Sequence, residues 1–360
     1  MSSLLDLYSD YLLSSQGQTS ATGLSALLDG AIQHDSVTRF LSGHHFTSRE
    51  LWLQVKPLVR AHESEDACLV FDDTLVEKAY MDENELICWH YDHARQRNVK
   101  GINLLTGFYV SSSKEGAEPL RIPVTYMLIL KTVLSCELKT RKIKRQCLLT
   151  KNQMMQMMIQ QAIANQLKFN YILADTWFAS SDNMRFIHKC KKHFIFDLKD
   201  NRLAALSQPA RSKGQWSRID QLDLPDNMPV RVWLKDLDLP VLLIKQVFIN
   251  QDLSCGVRFL VSNRLDLSAE EFDTLYKKRW GVEEYHKSIK QNASVAKSPA
   301  RTVQTQSNHV FASIFAYVKL EKLKFAHALN HFALKTKIYQ AALKAAFKEL
   351  AILKLQAELA

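Results

Sequence analysis

The chain has 360 residues, 47% of them hydrophobic, which is enough to bury a large core and excludes global disorder. Lys and Arg outnumber Asp and Glu by 47 to 37, a formal charge of +10, so a polyanionic partner is indicated, most simply nucleic acid. No basic leader precedes an apolar run and no stretch reaches 18 apolar residues, so neither a secretory signal nor a membrane span is expected, and a cytoplasmic location is the default. The six cysteines form no C-x-x-C pair and read as scattered, reduced thiols. Cys88, His90 and His93 are metal-ligand types, but no second cluster completes a zinc site.

Residues 1–65 carry leucines near helical spacing (Leu4, Leu5, Leu7; Leu24, Leu27, Leu28) and are expected to be helical, either as a small DNA-binding domain or as a packing subdomain. At Ala67 the pattern changes to a short apolar run that ends in two acids, Asp72 and Asp73, as in a buried strand. Ile102–Val110 and Ile122–Leu130 are further strands, separated by the turn-rich segment Ser111–Pro119. Lys139–Arg145 is strongly basic and either lines a DNA path or is a solvated surface. Gln153–Leu167 reads as a helix whose Met154, Met155, Met157 and Met158 fill a core. Tyr171–Ala174 is a strand closed by Asp175; a helix from Ser181 to about Lys192 and a strand at Phe194–Phe196 follow. That unit places an acid at the carboxyl end of its first strand, where α/β sheets hold ligands.

Residues 200–262 are richer in Pro, Gly and Asp. Strands at Val230–Leu234, Val241–Phe248 and Val257–Val261 make them a β-rich insertion into the α/β core. Ser268-Ala269-Glu270-Glu271 is a capping box and opens one long helix to about Gln291. From Asn308 onward the chain is helical again, and its lysines, Lys319 to Lys354, are expected on a solvated face.

Three acids stand out by position. Asp72 and Asp175 close apolar strands, and Glu283 lies mid-helix. Such acids are costly to bury unless they meet a cation, and hard divalent cations prefer carboxylate oxygen. Two such ions on shared carboxylates activate an attacking oxygen and stabilise the leaving oxygen of a phosphodiester. Tyr276, Arg279, Glu283 and Lys290 form Y-x2-R-x3-E-x6-K. On one continuous helix they occupy a sector of roughly 60°, beside an apolar stripe of Phe272, Leu275, Val282, Tyr285 and Ile289. The spacing alone fits either a phosphate-binding face or an ordinary solvated face with i,i+4 pairs.

These residues resemble a known family. FDDT (Phe71–Thr74), LADTWF (Leu173–Phe178) and YKKRWGVEEYHKSIK (Tyr276–Lys290) look like the three catalytic blocks of the DDE transposases. More narrowly, they resemble the insertion-sequence group defined by the YREK signature (the IS-four group). ICWHYDH (Ile87–His93), NVKGINLLTGFY (Asn98–Tyr109) and KSPARTVQTQSNHVF (Lys297–Phe311) also resemble that group. The likeness covers about residues 65–320. It implies an RNase H-like α/β fold: a mixed sheet with flanking helices, a β-rich insertion before the third acid, and helical N- and C-terminal regions. The corresponding divisions are 66–199 for the first part of the catalytic core, 200–262 for the insertion, 263–310 for the helix with the third acid, and 311–360 for a C-terminal helical region; residues 1–65 carry no motif of the family, and recognition of DNA ends is expected of them from their location alone.

The resemblance further implies two Mg²⁺ ions, with Mn²⁺ able to substitute, on Asp72, Asp175 and Glu283. Tyr276, Arg279, Lys287 and Lys290 become DNA contacts, and the partners are double-stranded terminal inverted repeats and target DNA, joined by a homodimer when two ends are paired. Asp73 remains a rival to Asp72, although the pattern D-x-T favours Asp72. Glu284 lies about 80° from the centre of the YREK face, which favours Glu283. Two rivals share these acids: a metal-dependent nuclease or resolvase on the same fold, and a domesticated, non-catalytic DNA-binding protein.

Overall fold

A computed structural model describes residues 3–93, 95–112, 118–136, 141, 143–250 and 252–359. The turn read at Ser111–Pro119 and the basic stretch Lys139–Arg145 fall partly outside the described residues. The chain opens with four helices, α1 (Ser3–Ser14), α2 (Ala21–Leu27), α3 (His34–Gly43) and α4 (Ser48–His62). Six strands follow: β1 (Cys68–Glu77), β2 (Cys88–Asp92), β3 (Arg97–Val110), β4 (Arg121–Leu128), β5 (Val133–Cys136) and β6 (Ile143–Gln146). Then come α5 (Lys151–Ala164), β7 (Tyr171–Ala174), α6 (Ser181–Lys189) and β8 (His193–Leu198). The β-rich segment holds β9 (Leu203–Ala205), α7 (Gln208–Ser212), β10 (Ser217–Arg218), β11 (Pro229–Leu234), β12 (Val241–Ile249) and β13 (Cys255–Ser262). Four helices complete the chain: α8 (Ala269–Lys277), α9 (Trp280–Gln291), α10 (Val303–His327) and α11 (His331–Leu359). None of the described helices is long and apolar enough to cross a membrane.

The chain divides into two compact units, and the boundaries fall inside α4, β1, β3 and α9. The unit made of residues 52–74 and 104–283 is built on a large mixed sheet, in the order β10-β9-β11-β12-β13-β8-β7-β1-β3, with β4 paired to β3. This agrees with an α/β, RNase H-like architecture. Parallel pairing of β1, β7 and β8 explains their near-continuous apolar runs, because parallel strands are covered on both faces. Cys68–Phe71, Tyr171–Ala174 and Phe194–Phe196 are all buried. The β-rich segment does not form a separate layer. Its last strand, β13, pairs antiparallel with β8, so the segment extends the same sheet edge.

Two details of this unit fix the neighbourhood of the acids. A register shift in the β3–β4 pair falls between Gly107 and Phe108. A Cβ at Gly107 would lie 2.5 Å from Thr125 Cγ2 and 3.1 Å from the Phe71 ring, so only glycine lets β3 come this close to the residue preceding Asp72. Asn183, fully buried at the start of α6, accepts from Gln156 Nε2 (2.9 Å) and donates to Asn152 Oδ1 (3.0 Å) and the Phe178 carbonyl (2.9 Å). It thereby ties α5 and α6 to the loop that carries Asp175. Met154, Met155 and Met158 of α5 fill the core as expected, whereas Met157 is exposed.

The other unit comprises Met1–Leu51, Leu75–Asn103 and Glu284–Ala360. Its spine is α10, whose buried polar side chains bind the N-terminal helices. Asn308 Nδ2 donates to the carbonyls of Leu41 (2.7 Å) and His44 (2.6 Å), and its Oδ1 accepts from the Phe46 amide (3.2 Å). His309 Nε2 faces the Ser294 carbonyl at 3.0 Å, so that nitrogen carries the proton and Nδ1 accepts from the Tyr8 hydroxyl at 2.9 Å. Burial pushes the imidazole down to about 3, which keeps it neutral. The expectation of a solvated lysine face fails at several positions, among them Lys324, paired with buried Glu321 at 3.4 Å. Lys319 is paired at 2.7 Å with both Asp6 and Asp10, and Lys335 is buried against the Leu13 carbonyl. The long stems of these lysines cover apolar surface while their ammonium groups find oxygen partners.

Candidate active site

The parallel register sets the acids side by side. Phe71 of β1 is the partner of Ala174 of β7, and Ala174 is the partner of Phe196 of β8. One residue further along the three neighbouring strands stand Asp72, Asp175 and Asp197. Side chains alternate across a sheet, so all three project on the face opposite Phe71, Ala174 and Phe196. Asp72 is not at the end of its strand, as the sequence suggested, because β1 runs on to Glu77. It is the pairing with β7 that stops at Phe71, and this opens the space beside Asp72. Asp175 is held by a tight turn in which the Trp177 amide donates to its Oδ1 at 3.0 Å.

The electrostatics mark the row as short of positive charge. Burial, then repulsion from Asp175 and Asp73, pushes the Asp72 carboxyl up from 3.8 to about 7, against the pull of Arg279. Burial also raises Asp175; the Trp177 amide pulls it down, and Asp73 pushes it up. Asp197 is raised by burial to about 6, opposed by Arg258 and Arg279. Asp73 is handled differently. Its neighbour Asp72 accepts its backbone amide at 2.9 Å, and its own carboxylate pairs with Lys151 at 2.7 Å. The same ammonium lies 5.4 Å from the Trp177 ring.

The YREK residues do not lie on one continuous helix. α8 ends at Lys277 and α9 begins at Trp280. Across the join the amides of Lys278, Arg279, Gly281 and Val282 bond to carbonyls three residues back, a tighter winding than the α-helix. Gly281, a poor helix former, sits in this join. Tyr276 therefore belongs to α8, Arg279 to the junction, and Glu283 and Lys290 to α9. Arg279 Nη2 donates to Glu283 Oε1 at 2.5 Å. Its guanidinium also lies 5.6 Å from the Tyr276 ring. Burial opposes its charge, but Tyr276, Glu283 and Asp72 hold its pKa above the ordinary arginine value. Tyr276 is itself buried and pushed up to about 12 by that burial.

The structure thus brings Asp72, Asp175, Tyr276, Arg279 and Glu283 into one unit, with Arg279 as the electrostatic link between Glu283 and the aspartates. Lys287 and Lys290 belong to the other unit, both exposed on α9, with the Lys287 ammonium 5.1 Å from the Phe332 ring. The apolar stripe read from the sequence (Phe272, Leu275, Val282, Tyr285, Ile289) is buried throughout. Among the described residues no three His, Cys, Asp or Glu side chains form a ready metal-ligand set. Glu283 is turned to Arg279. Even so, the donor set suits a hard divalent cation: clustered carboxylate oxygens whose ionised forms are penalised by burial and mutual repulsion.

Two side chains of this neighbourhood are absent from the motifs. Asp197 was hidden because the apolar run at Phe194–Phe196 ends just before it; the strand continues to Leu198. Arg258 lies in the β-rich segment, on β13. A search of curated proteins finds no match. Two family models do match. One, described as DDE superfamily endonuclease, covers residues 2–229. The other, described as transposase DDE domain, covers residues 142–319. The first match contains Asp72 and Asp175, and the second contains Asp175 and Glu283.

Proposed function

The chain belongs to the DDE superfamily of endonucleases, and from that premise we propose that it is the DNA transposase of an insertion sequence, of the YREK group, acting at the element's ends. The observation that carries this reading is the register-aligned carboxylate row beside an Arg279–Glu283 pair. Asp72, Asp175 and Glu283 would hold two Mg²⁺ ions; Asp72 is favoured over Asp73, whose carboxylate faces away to Lys151 while that of Asp72 faces Asp175 and Arg279. When bound, the divalent cations supply the positive charge that favours in-line displacement at a phosphodiester.

The chain's own groups do the positioning. Burial and the neighbouring Asp175 and Asp73 raise the Asp72 carboxyl, so a nearby cation would favour its ionised form. Arg279 restrains Glu283 and presents its remaining N–H groups to a DNA phosphate. Tyr276 supplies the ring against which that guanidinium rests. Lys290, two turns along α9 from Glu283, and Lys287 contact the backbone of the terminal repeat. Hydrolysis frees the 3′-hydroxyl of the element, which then attacks target DNA; one phosphodiester bond forms as another breaks. The four N-terminal helices recognise the ends, and a homodimer pairs them.

The test uses DNA that carries the sequences flanking the coding region, with Mg²⁺. Wild-type chain cuts at the element's boundary and joins the freed ends to a target plasmid. Glu283→Gln binds the same DNA and does not cut it. Cutting by Glu283→Gln at the wild-type rate removes Glu283 from the site. Cutting by wild type without joining reassigns the chain to the nucleases.

A further inference from the structure

We propose that Arg258, on β13, forms a second backbone-phosphate subsite beside the carboxylate row, for a phosphodiester next to the one that reacts. The inference rests on the transposase reading and adds a DNA contact outside the YREK signature.

Arg258 is placed by the sheet. Leu260 of β13 is the partner of Asp197, so Arg258, two residues along, projects on the face that carries the acids. Its cross-strand partner is Gln246, which is buried. The Gln246 carbonyl accepts from both Arg258 Nε (3.1 Å) and Nη2 (2.6 Å). The guanidinium is also bracketed by rings, 4.8 Å from Tyr276 and 5.8 Å from Phe248. Phe248 can lie in that position because its own cross-strand partner is Gly256. A Cβ there would meet the Phe248 ring at 2.3 Å.

This is a guanidinium fixed in orientation before any ligand arrives. Two of its donors are satisfied by a neutral amide, and Nη1 donates to no group among the described residues. Immobilising an arginine in advance reduces the entropy lost on binding, and a planar fork with free N–H groups matches a phosphate. Arg258 and Arg279 both lie beside the ring of one buried phenol, Tyr276. Arg279 is anchored by Glu283 and Arg258 by Gln246, so the two guanidiniums are held independently and can serve separate phosphates of one strand. Arg258 also lines a cavity of about 340 Å³, whose wall carries Glu270 and Asp273.

The test is a double-mutant cycle with chemically altered DNA. A duplex with the element's end is made as a series, each member with one methylphosphonate in place of a phosphate. Binding is measured for wild type, Arg258→Met and Arg258→Lys, and near-ultraviolet circular dichroism confirms the fold. Arg258→Met is expected to bind the unmodified duplex roughly ten- to hundredfold more weakly. Its slope of log affinity against log salt should fall by about 0.9, and Arg258→Lys should restore the slope. At one position the methylphosphonate weakens wild type but not Arg258→Met. Additive losses at every position overturn the subsite while leaving the transposase reading intact, provided that wild type cuts. A wild type that binds none of these duplexes overturns both.

Discussion

Replacing Asp72 by asparagine should make the protein more stable at neutral pH. The substitution preserves size and the oxygen that accepts the Asp73 amide at 2.9 Å, and it deletes the charge. In the folded chain the Asp72 carboxyl is raised from 3.8 to about 7 by burial and by its neighbours Asp175 and Asp73. Between those values the folded chain binds more protons than the unfolded one. Stability therefore falls as pH rises from about 4, and the loss is complete above about pH 7. The rise from 3.8 to about 7 corresponds to about 4 kcal/mol. Asp72→Asn lacks this titration. Its advantage over wild type should be near zero around pH 4 and grow to about 4 kcal/mol by about pH 8.

Urea melts of both proteins across that range, in EDTA, measure the effect directly. Parallel stability–pH curves would refute the reasoning, because they would mean that Asp72 is ionised at no cost in the fold. Saturating Mg²⁺ at about pH 8 should stabilise wild type more than the variant, since a ligand stabilises the state that binds it. The variant should be stable and inactive, the exchange expected where charge is assembled for chemistry rather than for folding.

Further outcomes separate the roles of the neighbours. Asp73→Asn should retain cleavage where Asp72→Asn abolishes it, because Lys151 already pairs Asp73; loss of cutting in both would return Asp73 to the metal site. Asn183→Ala removes three hydrogen bonds, one to the loop after Asp175 and two to α5, and should cost about 2–3 kcal/mol in urea melts, with cleavage reduced as well. Gly107→Val places methyl groups against Thr125 and Phe71 and should cost about 2 kcal/mol, read in the same melts; unchanged stability would show that β3 is free to shift there. Lys290→Ala should lower the salt slope of end binding by about 0.9, and an unchanged slope would make it a surface charge.

How far these expectations reach back to the sequence depends on the kind of signal. The parallel strands were legible because burial on both faces forces continuous apolar runs, and Tyr171–Ala174 was read to the residue. The capping box at Ser268 was legible because its chemistry is local: the Ser268 side chain accepts from the Glu271 amide and the Glu271 carboxylate accepts from the Ser268 amide. By its apolar pattern the helix it opens runs unbroken. Its interruption at Lys278–Arg279 leaves the apolar periodicity nearly intact, and the sequence carries only Gly281 as a sign of it. The strand carrying Asp72 was read as ending at the acids, because acids usually end buried strands; the pairing with β7 ends there while β1 continues.

Asp197 and Arg258 were illegible for a different reason. Neither occupies a position that local patterning singles out, and each acquires meaning only through long-range register. Asp197 joins the row because β8 pairs with β7 one residue short of it, 22 residues from Asp175 in sequence. Arg258 reaches the same face because β13, the last strand of the segment inserted after β8, returns to pair with β8. The insertion therefore does more than interrupt the core. By rejoining the sheet at the edge nearest the acids, it adds a cation and an aromatic wall to the side of the site that the parallel strands leave open. The order β12-β13-β8-β7-β1 then reads as one surface, with Gln246 and Arg258 at one end, Asp72 at the other, and Tyr276 and Arg279 set between them by the close of α8. A segment that composition marked as foreign to the α/β core thus becomes one wall of the candidate active site.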